Sequence, residues 1–179
     1  MAESPATRIW LGRAVFLGLA LFIMFCQLIP LNAEPSVWAP PELLVGITLA
    51  WVARRPDHAP VTLIALVFLL ADLLFQRPPG LWTALVVLLT EAMRARSAEF
   101  RNMPLMLEWG TVAMGLAAIT LANRVVLAVV MTAQAPLAMT VVQMLMTILI
   151  YPVIVLLAHA VFGVSRPAPG AVDSLGHRI

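Results

Sequence analysis

Lysine is missing from this chain, cysteine and tyrosine occur once each, and only 11% of its residues are charged. Each shortage closes off a class. A soluble domain averages about 25% charged residues, so an ordinary globular enzyme is excluded. Cys26 stands alone and lies inside an apolar run, which rules out an internal disulfide and leaves packing as its role. All eleven basic residues are arginine, and a net charge of +2 is too small a surplus for a nucleic-acid surface. Intramembrane aspartyl chemistry needs two carboxylates together, yet Asp72 is the only aspartate inside an apolar run. Ser4, Ser36, Ser97, Ser165 and Ser174 all lie outside such runs. His58, His159 and His177 lack metal-ligand spacing, and no Gly-rich phosphate loop occurs. The sequence predicts neither an enzyme nor a protein with a cofactor.

What is there is apolar. Hydrophobic residues make up 62% of the 179, and the mean hydropathy is +0.98. Six runs carry most of it: 11–31, 38–52, 59–75, 80–93, 104–122 and 136–162. They lack the period-two alternation of barrel strands, and lipid offers no partners for open backbone groups, so they read as helices. Pro40, Pro41, Pro78, Pro79, Pro104 and Pro136 sit at the boundaries, where a missing N–H costs little. The predicted fold is all-α, a polytopic membrane bundle over 11–163. It is flanked by a short N-terminal segment (1–10) and a Pro-, Gly- and Ala-rich tail (164–179) predicted to be disordered. Arg8 and Arg13 before an apolar stretch resemble a signal peptide, but the stretch from Val15 to Leu31 exceeds the usual length of about 7–15 residues. A first membrane anchor is the reading adopted.

Arginines gather in every second gap. Arg8 and Arg13 precede the first run, Arg54 and Arg55 fill the second gap, and Arg94, Arg96 and Arg101 fill the fourth. Arg166 and Arg178 lie in the tail, whereas Arg77 in the third gap goes against the pattern. Arginine excess marks cytoplasmic loops, so both termini are predicted to be cytoplasmic, with six crossings. The second and fourth runs, about 15 and 14 residues, fall short of the roughly 20 needed for a straight span. Short helices of this kind favour association through hydrophobic mismatch. After Arg124, about 30 Å along its helix from Pro104, the stretch Val125–Met131 is either a further turn or a segment on the outer surface.

Charge inside a span costs about 2.5–3.5 kcal/mol at a helix centre, so Asp72, Glu91, Glu108 and Arg124 are the functional candidates. Glu91 and Glu108 near the arginine-rich ends suit interfacial ion pairing, Glu91 with Arg94 three residues on. Asp72 is expected to pair with Arg124, with Arg77 competing, in an ion pair that closes the outer end. Glu108, Thr111, Gly115, Ala118 and Ala122 share one face of the fifth span, a small-residue surface for a neighbouring helix. Thr140, Gln143, Thr147 and Tyr151 line up on the last span, and Pro152 is expected to bend it.

Two stretches carry a resemblance. One is Asp72-Leu73-Leu74 at the end of the third span, followed by a tight turn to Gly80 and a short fourth helix. The other is Gln143-Met144-Leu145-Met146-Thr147-Ile148-Leu149-Ile150-Tyr151-Pro152 in the last span. Over residues 10–163 the chain resembles the bacterial rod shape-determining MreD family. That resemblance implies a fold similar to the substrate-binding membrane subunits of energy-coupling-factor vitamin transporters. It implies a non-enzymatic scaffold of the cell-elongation machinery in the bacterial inner membrane. The implied partners are the bitopic protein MreC, with MreB, RodA and an elongation-specific penicillin-binding transpeptidase beside it. Asp72, Gly80, Tyr151 and Pro152 carry over as matching positions with structural roles. The alternative is a small transport subunit binding a solute near Asp72, Arg77 and Arg124, with Trp38, Phe68, Phe75 and Trp82 around it.

Overall fold

The computed structural model describes residues 5–29, 39–97 and 104–162, and among these every regular element is helical. The elements are α1 (Pro5–Leu28), α2 (Leu43–Arg54), a 3-10 turn (Pro56–His58), α3 (Val61–Leu74), α4 (Leu81–Ala95), α5 (Leu105–Val129) and α6 (Leu137–Phe162). The tail 164–179, with Arg166 and Arg178, lies outside the described residues, as do Trp38 and Arg101.

Proline sets most starts. Pro60 and Pro104 occupy the N-cap positions of α3 and α5, and Pro56 opens the 3-10 turn. Two ends close by the same device. After α3, Gln76 adopts φ 53°, Gln76 N donates to Leu73 O, and Arg77 N donates to Asp72 O at 2.9 Å. After α5, Met131 adopts φ 55° and Thr132 N donates to Leu127 O at 3.0 Å. Both are Schellman closures with a non-glycine residue in the left-handed position, which glycine would occupy at lower cost. The segment Val125–Val129 is thus helix, the continuation of α5 rather than a separate surface piece.

Hydrogen bonds order the helix ends into two groups. Arg13 Nε donates to Asp57 O at 3.1 Å, fixing the start of α1 beside the 3-10 turn that links α2 to α3. Arg94, at the end of α4, donates to Pro56 O and Ala59 O at 2.9 and 2.7 Å. Arg54, at the end of α2, meets Glu108 in the first turn of α5. The helices therefore alternate in direction, and Arg8, Arg13, Arg54, Arg55, Arg94 and Arg96 collect at one end. Arg77 and Arg124 lie at the other.

Three helices, α1, α5 and α6, are long and apolar enough to cross a membrane. With its exposed apolar side chains, this makes the chain a multi-pass membrane protein. The other three, of 12, 14 and 15 residues, extend only about 18–23 Å. Two short helices were expected, and α3 is a third. The small length of α2 has its own cause. Ten of its twelve residues are buried, and α1, α4 and α6 all pack on it, so α2 meets protein on every side. A helix apolar all round belongs in a core. Mismatch with lipid is accordingly no argument for association at α2, because its neighbours are its own chain. Trp51 of α2 stacks at a tilt on Phe16 of α1, ring centroids 6.3 Å apart. The remaining helices form an arc around α2 in the order α1, α3, α4, α5, α6.

Candidate functional site

Glu108 carries a charge inside the bundle. It is fully buried, and its carboxylate takes a two-pronged contact from Arg54, Nη2 to Oε2 at 3.1 Å and Nη1 to Oε1 at 2.5 Å. Tyr151 of α6, also fully buried, donates its hydroxyl to Oε1 at 2.6 Å. Three helices thus meet at one carboxylate. Fork-to-fork geometry is the strong form of an arginine–carboxylate contact. The expected interfacial pairing of Glu108 is corrected in one respect: the pair is sealed inside the bundle. The sequence places Arg54 among the arginines of the second gap. Its place two residues after the apolar run 38–52 is the available signal, but its partner lies 54 residues away. Glu91 does pair with Arg94 at 2.8 Å, at the partly exposed helix end foreseen.

Asp72 does not pair with Arg124. Its Oδ2 instead accepts from Gly80 N at 3.0 Å, Thr83 N at 3.2 Å and Thr83 Oγ1 at 2.8 Å. The fully buried carboxylate therefore caps α4 from the end of α3. The first N–H groups of a helix have no internal acceptors and carry partial positive charge, so they serve Oδ2, while Oδ1 is buried with no hydrogen-bond partner among the described residues. Gly80 makes this turn possible. It adopts φ 87°, which L side chains rarely tolerate.

Arg77 goes to Glu42, which immediately precedes α2, with Nη1 to Oε1 at 2.8 Å and Nη2 to Oε2 at 3.4 Å. The same guanidinium lies 5.5 Å from the Phe75 ring centroid. Gln143 Nε2 donates to Glu42 Oε2 at 3.0 Å, and Glu42 N donates to Thr147 Oγ1 at 2.8 Å. Across from this group, Arg124 Nη1 donates to Ala135 O at 3.1 Å and to Thr140 Oγ1 at 2.8 Å.

The polar stripe of α6 now has a geometry. Thr140 meets Arg124, Gln143 and Thr147 meet Glu42, and Tyr151 meets Glu108. α6 also runs unbroken through Pro152. Proline has no N–H, which frees the carbonyl of Ile148 one turn earlier. Trp109 of α5 fills that vacancy, donating Nε1 to Ile148 O at 2.7 Å.

The small-residue face of α5 is used only in part. Its buried side is Glu108, Val112, Leu116 and Ile119, whereas Ala118 is exposed. Gly115 does serve close approach. A side chain there would put its Cβ 2.5 Å from Leu89 Cδ1 of α4.

Between the arginine-poor ends of α4, α5 and α6 lies a cleft of about 380 Å³. Arg77, Arg124, Glu42, Gln143 and Trp82 are among its lining residues, whereas Asp72, Phe68 and Phe75 are not. Compared with known protein families, curated proteins and solved structures, the chain matches none.

Proposed function

We propose that the chain is a non-enzymatic membrane scaffold of the MreD type, crossing the bacterial inner membrane six times with both termini in the cytoplasm. One observation carries this reading. The residues at the matching positions are engaged in holding helices to each other. Asp72 and Gly80 join α3 to α4, Tyr151 joins α6 to α5 and α2, and Pro152 exposes the carbonyl that Trp109 holds. None of these four lines the cleft. The grouping of Arg8, Arg13, Arg54, Arg55, Arg94 and Arg96 at one end supports the orientation. The short helices cross as parts of the bundle, with Arg54 of α2 neutralised inside it by Glu108 and Arg96 after α4 at its arginine-rich end.

A scaffold acts laterally. The outward sides of α1 and α6 present Phe22, Phe25, Leu149, Val153 and Leu157, all exposed. A single-span partner such as an MreC-like protein packs on such a side by van der Waals fit, since individual interhelical hydrogen bonds average only about 0.6 kcal/mol.

The cleft favours a second reading, a solute-binding transport subunit with the energy-coupling-factor type of fold. Affinity purification of the tagged protein from gentle detergent separates the two. Recovery of a bitopic MreC-like protein with cell-wall synthases supports the scaffold. Recovery of paired ATPases with a coupling membrane subunit overturns it.

A further inference from the structure

Among the described residues, the cleft holds more positive charge and more hydrogen-bond donors than the fold itself consumes. Its arginines differ in their partners. Arg77 is balanced by Glu42, whose two oxygens are already occupied by Arg77 and Gln143. Arg124, another lining residue, has only neutral acceptors among the described residues, Ala135 O and Thr140 Oγ1. Asp72, the remaining nearby carboxylate, sits outside the cleft and is turned to the start of α4. The indole Nε1 of Trp82, another lining residue, is buried and has no acceptor among the described residues. Leu116, Leu127 and Met144 supply apolar wall beside these donors.

We propose that this cleft binds one phosphate or carboxylate anion carried on a small amphiphilic molecule, with Arg124 as the charge partner and Trp82 as a donor. A cation meets the unbalanced guanidinium of Arg124, and a neutral molecule leaves that charge uncompensated in a half-buried, low-dielectric site. A volume of about 380 Å³ fits a headgroup-sized ligand beside the apolar wall. Such a site suits a scaffold that holds a lipid as well as a transport subunit, so it depends on neither reading above.

The chemistry has two sources, a lipid headgroup or a soluble anion, and two arms of one experiment separate them. The purified full chain in uncharged detergent is mixed with equal phosphatidylglycerol and phosphatidylcholine of identical acyl chains and examined by native mass spectrometry. In parallel, thermal unfolding is followed in inorganic phosphate and in chloride at equal ionic strength. Preferential retention of phosphatidylglycerol, lost in Arg124→Gln, assigns the site to a lipid headgroup. Stabilisation by phosphate over chloride, lost in the same variant, assigns it to a soluble anion. Trp82→Phe keeps an aromatic side chain but removes the N–H together with part of the indole, so it is expected to weaken whichever binding occurs several-fold, and it carries the test if Arg124→Gln does not fold. Equal behaviour of the variants and the parent chain in both arms overturns the proposal. A phosphatidylglycerol preference that survives both substitutions does so too, since it then arises at the arginine-rich end.

Discussion

The two ends of the bundle use the same ion chemistry to opposite effect. At the arginine-rich end, Arg54 and Glu108 have side chains only 6% and 0% exposed, with Tyr151 completing the set. At the other end, Arg77 and Glu42 are 34% and 13% exposed and border a cleft, with Arg124 beside them lacking a carboxylate partner among the described residues. One end is a lock and the other an opening. Burial separates them, because an enclosed pair has no water to fall back on when one partner is lost.

That difference sets the order of the expected effects. Glu108→Leu or Arg54→Leu strands a buried ion and should cost about 3–5 kcal/mol, read as unfolding in mixed micelles followed by circular dichroism. Replacing both by leucine should cost less than the two single losses added together. Simple additivity would mean that the lock is not a coupled pair.

Asp72→Ala removes the cap of α4 and should cost about 1–2 kcal/mol in the same assay, with Arg124→Gln changing nothing in that loss. Coupling between the two positions would reinstate the ion pair that the geometry rejects. Trp109→Phe leaves Ile148 O without its donor, at roughly 0.6–1.7 kcal/mol, the range of membrane hydrogen bonds. Adding Pro152→Ala restores an N–H at that carbonyl and should recover most of the loss. Failure to recover would show that Trp109 acts by packing alone.

Glu42→Gln is the direct counterpart of the Glu108 experiment. It should cost no more than about 1 kcal/mol, since Arg77 is partly solvated. A loss equal to that of Glu108 would erase the contrast between the ends.

The smallest effect concerns pH. His58, in the 3-10 turn, has its pKa held below the usual 6.5, first by burial and then by Arg55, with Arg8 and Arg13 adding and Asp57 opposing. The unfolded chain then binds the proton more readily, so the stabilisation is complete above pH 6.5 and is lost as pH falls through the lower folded value. The midpoint of thermal unfolding should decline with acid more steeply in the parent chain than in His58→Gln. Identical slopes would remove His58 from the balance.

The helices are legible because hydropathy is a local signal. So is the Glu91–Arg94 pair, three residues apart on one turn. The partner of Glu108 was not legible, since it depends on which helix ends share a level in the bundle. Asp72 misled for a different reason. A carboxylate inside a span invites a search for a cation, whereas its Oδ2 is answered by backbone and hydroxyl donors only 8 and 11 residues onward. The central place of α2 was written in its apolar character on all sides, a signal read only as shortness. The contact between Trp109 and Ile148 was foreshadowed by Pro152, which frees a carbonyl one turn before itself wherever it stands in a helix.

The enclosure of α2 also bears on how the chain is made. At about 18 Å this helix is too short to span the hydrocarbon layer unaided. It ends in an arginine whose carboxylate partner emerges 54 residues later in synthesis. Until α5 and α6 have entered the bilayer, α2 lacks the wall that α6 supplies and the counter-ion that α5 supplies. The middle of this bundle is therefore the part that a growing chain completes last.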